Sequence, residues 1–220
     1  MHTYVQEDEA IEIPEFADLD AFRQWVDSDD YPEFGRVCYL DGEVWVDMSK
    51  EQLFTHNLVK CEYGSVLSVF SKAAKIGNFF TDGVLVSNVV ANLSSKPDGT
   101  FVSFQSFENG LIELIEGEKE GYVELLGTPD MVLEILSAGS VKKDLHTLRD
   151  LYWRAGITEY WIVDVRSERL VFDILRYSSK GYVPVKKQAG WMHSQVFGKS
   201  FKLSRGFDKR GELECTLSVR

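Results

Sequence analysis

Cysteine is scarce in this chain: Cys38, Cys61 and Cys215 are its only three. Their odd number and wide spacing give neither a disulfide framework nor a zinc-ligand pattern, so they read as reduced thiols. No apolar run approaches the roughly 18 residues that a membrane span requires. The first residues, Met-His-Thr-Tyr-Val-Gln-Glu-Asp-Glu, have neither the basic nor the apolar part of a secretion signal, and a cytoplasmic location is expected. Internal repeats, low-complexity tracts and linkers are also missing. A chain of 220 residues without such divisions reads as a single domain, residues 15–220, behind a flexible polar arm, residues 1–14.

Positive charge is scarce too, except at one end. The 24 Lys and Arg against 35 Asp and Glu give a net charge of -11, which excludes a surface that is basic all over. Residues 166–220 nevertheless carry 12 Lys and Arg against 5 Asp and Glu, whereas residues 1–165 carry 12 against 30. An acidic body with a basic end can set a cationic rim beside an acidic cleft, as metal-assisted chemistry on a phosphodiester requires. Neutralisation of the body by its basic end is the plainer alternative.

What the chain does have is a strand, helix, strand pattern across residues 127–164. Residues 131–136 are apolar but for one acid, the composition of a strand buried on both faces. An ionised Glu134 there costs several kcal/mol unless a metal, a cation or a hydrogen-bond network receives it. Leu145, Leu148, Leu151, Tyr152 and Ala155 then recur at helical spacing as one apolar stripe, with Asp144, Arg149, Asp150 and Arg154 expected to face elsewhere. Gly156 stops the helix. Residues 160–165 read as a second strand, parallel to the first by the handedness of such crossovers.

Upstream, Asp18 caps a predicted helix that buries Phe22, Trp25 and Val26. Residues 36–40 and 43–48 read as a hairpin about Asp41-Gly42, and Ser49 with Gln52 as a capping box that opens a long helix to about Lys75. His56 lies on that helix, where packing is the commoner role for a lone histidine. Residues 78–90 read as one or two strands around an Asp82-Gly83 turn, and Asp98, within Pro97-Asp98-Gly99, precedes another short apolar strand. Residues 108–120 read as an acidic loop or short helix and 122–126 as a strand. Antiparallel strands are expected at 170–177, 181–187, 199–203 and 212–219.

Asp98 and Glu134 thus each lie on or just before an apolar strand, and Lys142 and Lys143 follow the second. Magnesium takes oxygen ligands, and one or two carboxylates with water and substrate phosphate suffice. A lysine beside them holds the attacking water or the phosphate. The set is sufficient for metal-assisted phosphodiester hydrolysis.

The runs Gly-Thr-Pro-Asp-Met-Val-Leu-Glu-Ile-Leu-Ser, Lys-Lys-Asp, Leu-Arg-Asp-Leu-Tyr and Ala-Gly-Ile-Thr-Glu-Tyr-Trp-Ile-Val-Asp, in that order, resemble the core of a known family. It is the Uma-two family of restriction endonucleases, a branch of the PD-(D/E)XK nuclease superfamily. Leu-Asp-Gly-Glu-Val-Trp-Val-Asp-Met-Ser, then His56, then Lys-Pro-Asp-Gly-Thr-Phe-Val are similar to its earlier blocks, so the likeness spans about residues 36–175. The resemblance implies an α/β fold, a restriction-endonuclease-like mixed central sheet flanked by helices, here with additional antiparallel strands at the C-terminus. It implies an endonuclease that uses Mg2+ or Mn2+, held by carboxylates at the ends of neighbouring strands, to hydrolyse nucleic acid, DNA in the first place; a homodimer is one assembly open to it, and no membrane partner is expected.

Asp98 matches the family's Pro-Asp acid and Glu134 the acid of its Glu-x-Leu-Ser block, while Glu43 stands where such nucleases add a third carboxylate. Leu136 and Leu148 depart from the pattern, because the superfamily has lysine two residues after the acid and relatives have it at the second position. Lys142 or Lys143 must then substitute. Otherwise the fold serves as a catalytically impaired module that binds nucleic acid or a protein partner. Asp130, on the strand face of Glu134, is an alternative ligand, against its plainer reading as a strand-start residue after Pro129.

Overall fold

A computed structural model describes residues 2–6, 9–32, 35–117, 119 and 121–220, with side chains from Ile13 onward. The chain begins with β1 (His2–Gln6), β2 (Glu9–Ile13), α1 (Leu19–Asp27), β3 (Arg36–Leu40) and β4 (Glu43–Asp47). A π-helical segment (Leu53–Asn57) leads into α2 (Leu58–Ala74), followed by β5 (Gly77–Thr81), β6 (Leu85–Asn88), β7 (Leu93–Ser95) and β8 (Gly99–Ser103). Next come α3 (Phe104–Glu108), β9 (Ile112–Glu116), β10 (Tyr122–Gly127) and β11 (Met131–Ile135). A second π-helical segment (Lys143–Leu148) leads into α4 (Arg149–Arg154). The chain closes with β12 (Glu159–Asp164), β13 (Val171–Arg176), β14 (Val183–Pro184), β15 (Met192–Ser194), β16 (Lys199–Phe207) and β17 (Leu213–Val219).

The central sheet has the order β14-β13-β12-β11-β8-β5 and is mixed: β11 and β12 are parallel, and the other neighbours pair antiparallel. The crossover between the parallel pair runs through the second π segment and α4, as the apolar stripe predicts. Because side chains alternate along a strand, β11 feeds two cores. Met131, Leu133 and Ile135 pack with Val59, Tyr63 and Leu67 of α2 and with Phe201, Leu203 and Leu217 of the C-terminal sheet β15-β16-β17. Val132 and, just past the strand, Leu136 pack with Leu148, Leu151 and Tyr152 of the crossover and with Cys38, Leu40 and Leu93 of a second sheet, β4-β3-β7-β6-β10-β9. Two cores on two parities explain an apolar run without alternation. Glu134 has the parity of Val132 and Leu136 and faces the crossover helix.

Several local expectations hold. Asp18 caps α1 by accepting from the Ala21 N–H at 2.9 Å, and Asp41 and Gly42 both take positive φ (54° and 93°) in the two-residue turn between β3 and β4. The end of α2 is where it was expected, with Lys75 in the left-handed conformation, and Gly77 opens β5. Other expectations need correction. Gln52, not Ser49, precedes the first helical turn, and no side chain caps it; the Ser49 N–H, which Gln52 would take in a capping box, donates to Asp47 Oδ1 at 2.8 Å. The 108–120 stretch holds β9, an edge strand. The segment read as an arm pairs on itself as β1 and β2. Of the C-terminal strands, β14 is only two residues long, β16 runs on to Phe207, and β15 is an addition. No helix among the described residues is long and apolar enough to cross a membrane.

Candidate active site

β8 and β11 pair antiparallel with Gly99 opposite Leu133, so Asp98, one residue before β8, comes to lie beside Glu134. One hydrogen bond locks the approach: the Ile135 N–H donates to Asp98 Oδ2 at 2.8 Å. Both acids are buried, and both line a cleft of about 250 Å³ together with Arg36, His56, Lys143 and Asp144. The two π-helical segments flank this cleft. One carries His56 and the other carries Lys143 and Asp144. Such wide turns recur at functional sites because they re-aim side chains that a regular helix would point elsewhere.

Asp98 belongs to a closed ring of six charged side chains. Its Oδ1 accepts from Arg36 at 2.9 Å, and Arg36 reaches on to Asp82 at 2.7 Å. Lys60 joins Asp82 at 2.8 Å to Glu51 at 2.6 Å. His56 closes the ring between Glu51, 2.9 Å from Nδ1, and Asp98, 3.4 Å from Nε2. His56 Nε2 also donates to the Ile135 carbonyl oxygen at 2.8 Å. With acceptors before both ring nitrogens, His56 is an imidazolium, and the ring alternates three acids with three cations. Burial pulls the imidazole down, but Asp98 and then Glu51 outweigh it and hold His56 at about 9. Burial pushes Asp98 up in turn, yet His56, Arg36 and the Ile135 N–H hold it at about 2. Asp98 is therefore a fixed carboxylate.

Glu134 has the opposite surroundings. Tyr152 donates its hydroxyl to Glu134 Oε1 at 2.7 Å and in turn accepts from Ser95, 3.1 Å away. Burial pushes the Glu134 carboxyl up to about 8, and the charges of Asp144 and Asp98 add to the push while Lys143 opposes it. Asp144 is raised as well, burial being the chief cause. Burial alone would lower Lys143, but Glu134 above all, then Cys38 and Asp144, raise it. Lys143 is thus the cation among the crowded acids, 3.3 Å from Asp144 Oδ1.

The structure brings together three of the sequence-predicted residues, Asp98, Glu134 and Lys143. Lys142 stands just before the π segment and does not line the cleft. Glu43 lies apart: it pairs with Leu40 at the turn end of the β3–β4 hairpin, whereas Arg36 and Asp47 are paired at the cleft end. Four residues of extended strand, about 13 Å, separate the two ends, and Asp47 is the β4 acid that lines the cleft. Asp130 accepts from the Ser103 N–H at 2.7 Å and caps the strand start. Leu136 and Leu148 sit in the same apolar core, so neither position admits an ammonium group without a partner.

Sequence reasoning missed Asp144, expected only to face away from the apolar stripe and in fact 1% exposed, and it undervalued His56. The π-helical geometry that turns both inward has no signature in composition. Arg36, Glu51, Lys60 and Asp82 come from distant segments, and only the sheet register joins them. A basic residue of the C-terminal quarter does reach the rim. Arg166 donates to the carbonyl of Ser137, a cleft residue, at 2.8 Å, while it is also paired with Asp164 at 2.9 Å.

The donor set can be tested against a divalent cation. No group of three or more His, Cys, Asp and Glu among the described residues is arranged to hold an ion unaided. A carboxylate has about four acceptor positions. Asp98 has used three, for Arg36, the Ile135 N–H and His56, and Glu134 has used one, for Tyr152. Two such carboxylates in one cleft, with acceptor positions left over on each, fit a magnesium ion that keeps most of its waters.

The profile of the Uma2 family, described as "Putative restriction endonuclease", matches residues 19–204. A crystal structure described as "a putative nuclease belonging to DUF820 from Anabaena variabilis" is similar in fold, with a TM-score of 0.59 and 17% sequence identity. The match covers 82% of this chain and 90% of that one. No curated protein matches the chain.

Proposed function

The chain belongs to the Uma2 family, and on that premise we propose that it is a magnesium- or manganese-dependent endonuclease that hydrolyses phosphodiester bonds of nucleic acid, with DNA as its polymer. The observation that carries the proposal is the pairing of Asp98 and Glu134 across β8 and β11, in one cleft with Lys143. Asp98 and Glu134 would hold the ion. When bound, a divalent cation supplies Lewis acidity to the scissile phosphate and to a coordinated water. Asp98 is kept ionised by the ring at every pH of interest and is held to β11 by the Ile135 N–H, so its free position is fixed in space. Glu134 is oriented through Oε1 by Tyr152, which leaves Oε2 for the cleft. Lys143 presents a point charge that can hold a phosphoryl oxygen as negative charge develops on it.

Lys143 comes from the helix rather than from the strand, and it takes in space the role that Leu136 and Leu148 cannot fill in sequence. Arg166, at the rim, is suited to a backbone phosphate beyond the scissile one. Cutting both strands of a duplex calls for two such clefts, which a homodimer provides. The test is incubation of the purified protein with plasmid DNA and with RNA, with magnesium, with manganese and with chelator, beside Glu134→Ala. Divalent-dependent cutting of DNA that Glu134→Ala abolishes is the expected result. Cutting that survives in Glu134→Ala or in chelator overturns the assignment. The alternative, an impaired module on this fold, is favoured by the buried Leu136 and Leu148. It predicts nucleic-acid binding by the wild type without any cutting.

A further inference from the structure

The nuclease reading leaves one buried acid without a task. Asp144 is 1% exposed, lines the cleft with Asp98 and Glu134, and its Oδ1 has no hydrogen-bond partner. The nearest cation to that oxygen is Lys143, at 3.3 Å, and Ser140 is the other polar neighbour of the carboxylate. The main chain at the same residue is fully used. The Asp144 N–H donates to the Ser140 carbonyl at 2.8 Å, and its own carbonyl accepts from the Tyr160 hydroxyl at 2.9 Å.

Another acid in the same sheet shows what a structural carboxylate looks like here. Glu159, 0% exposed, accepts from Trp161 Nε1 at 3.0 Å, Ser194 Oγ at 2.6 Å and the Gln195 N–H at 2.6 Å. Buried polar atoms are nearly always satisfied in this way, and an unsatisfied one marks a place where something else binds. The fold therefore pins the Asp144 backbone from two sides and leaves its Oδ1 with no hydrogen bond, only the Lys143 ammonium at 3.3 Å, in the cleft that Glu134 also lines. The π-helical segment is what aims it there.

We propose that Asp144 is a further acid of the cation site, taking a divalent ion together with Glu134, directly or through one of the ion's waters, while Lys143 balances the two acids until the ion arrives. The proposal rests on the divalent-cation reading of the cleft and adds an acid to it. An oxygen donor of full charge, close to a second one, is the environment that hard cations select. The competing role is that of counter-ion to Lys143 alone, which would make Asp144 part of the framework.

The two roles part on titration of MnCl2 by calorimetry into wild type and Asp144→Asn, together with thermal unfolding of both in chelator. Loss of a ligand weakens manganese binding by about tenfold or more, and the uncharged amide, free of repulsion from the fixed Asp98 carboxylate, melts in chelator at the wild-type temperature or above. A counter-ion role predicts the reverse, an early melt and an unchanged affinity. Affinity decides between them, measured on protein whose circular dichroism matches the wild type. A loss larger than about threefold supports the proposal and a smaller one overturns it. Should the amide not fold, Asp144→Ser is read by the same criterion. A wild type that takes up no manganese sinks the cation reading as a whole. A wild type that binds, beside a variant that binds equally well, sinks only the part given to Asp144.

Discussion

His56 Nε2 lies 3.4 Å from Asp98 Oδ2 and donates at 2.8 Å to the carbonyl oxygen of Ile135, the residue after Glu134. One imidazolium therefore ties the start of α2 to both site strands at once. Its charge is part of the fold, and that makes stability depend on pH.

The His56 imidazole is held at about 9, above its ordinary 6.5, so its contribution is complete below pH 6.5 and is lost as the pH rises through 9. Glu134 acts in the same direction. Its carboxyl is raised from 4.5 to about 8, so the fold favours the neutral acid and loses that preference between those two values. In chelator, the melting temperature is expected to fall steadily from pH 5 to pH 9. His56→Gln should flatten the upper part of that fall and Glu134→Gln the lower part. A wild-type midpoint that is level across this range would show that neither group carries the charge assigned to it.

Lys143 and Lys142 are adjacent in sequence and unequal in space, since only Lys143 lines the cleft. Lys143→Met is expected to lower the rate of DNA cutting by roughly 100-fold, the usual loss when one donor to the transition state is removed. DNA affinity measured by fluorescence anisotropy should change little. Lys142→Met should cut at the wild-type rate. Equal losses in the two variants would mean that the lysines serve only as general positive charge.

How much of this was legible in the sequence follows from the range over which each feature is decided. The parallel pair β11 and β12, with its helical crossover, is written in one continuous stretch, and residues 131–164 carry its period, its stop and its buried acid. Asp98 was legible as an acid before a strand, but its neighbour across the sheet was not. Glu43 was misplaced because a hairpin five residues long carries its two ends to different neighbourhoods, and the acid at the far end, Asp47, looked no different from it. β9 was lost because Ile112, Leu114 and Ile115 stand among glutamates that read as a loop. His56 and Asp144 depend on π-helical turns, whose extra residue shifts the facing of a side chain without changing the apolar stripe around it.

Glu159 anchors the C-terminal sheet to the central one, since Ser194 and Gln195 donate to it from β15 and just after it. Glu159→Ala removes the acceptor of two buried donors, on Trp161 and Ser194, and of the half-buried Gln195 N–H, each buried one costing about 1–3 kcal/mol when left unmade. A loss of about 3 kcal/mol is expected in urea unfolding, with hydrogen exchange of β15 and β16 quickened beyond that of β11. A loss under 1 kcal/mol would mean that the two sheets hold together by apolar packing alone.

The crossover helix decides whether the site can exist, because it aims Lys143 and Asp144 at one end and packs Leu148, Leu151 and Tyr152 into the core at the other. Leu148 is fully buried against a cluster that includes Leu136. Truncation there leaves a cavity that the sheet behind it cannot collapse to fill, and Leu148→Ala is expected to cost on the order of 2–5 kcal/mol in chemical denaturation. The same loosening should reach Tyr152, one turn on, and through its hydroxyl the orientation of Glu134. The variant should therefore bind manganese more weakly than the wild type even under conditions where it is fully folded. A variant as stable as the wild type would place Leu148 at the surface and remove the support on which the cleft is built.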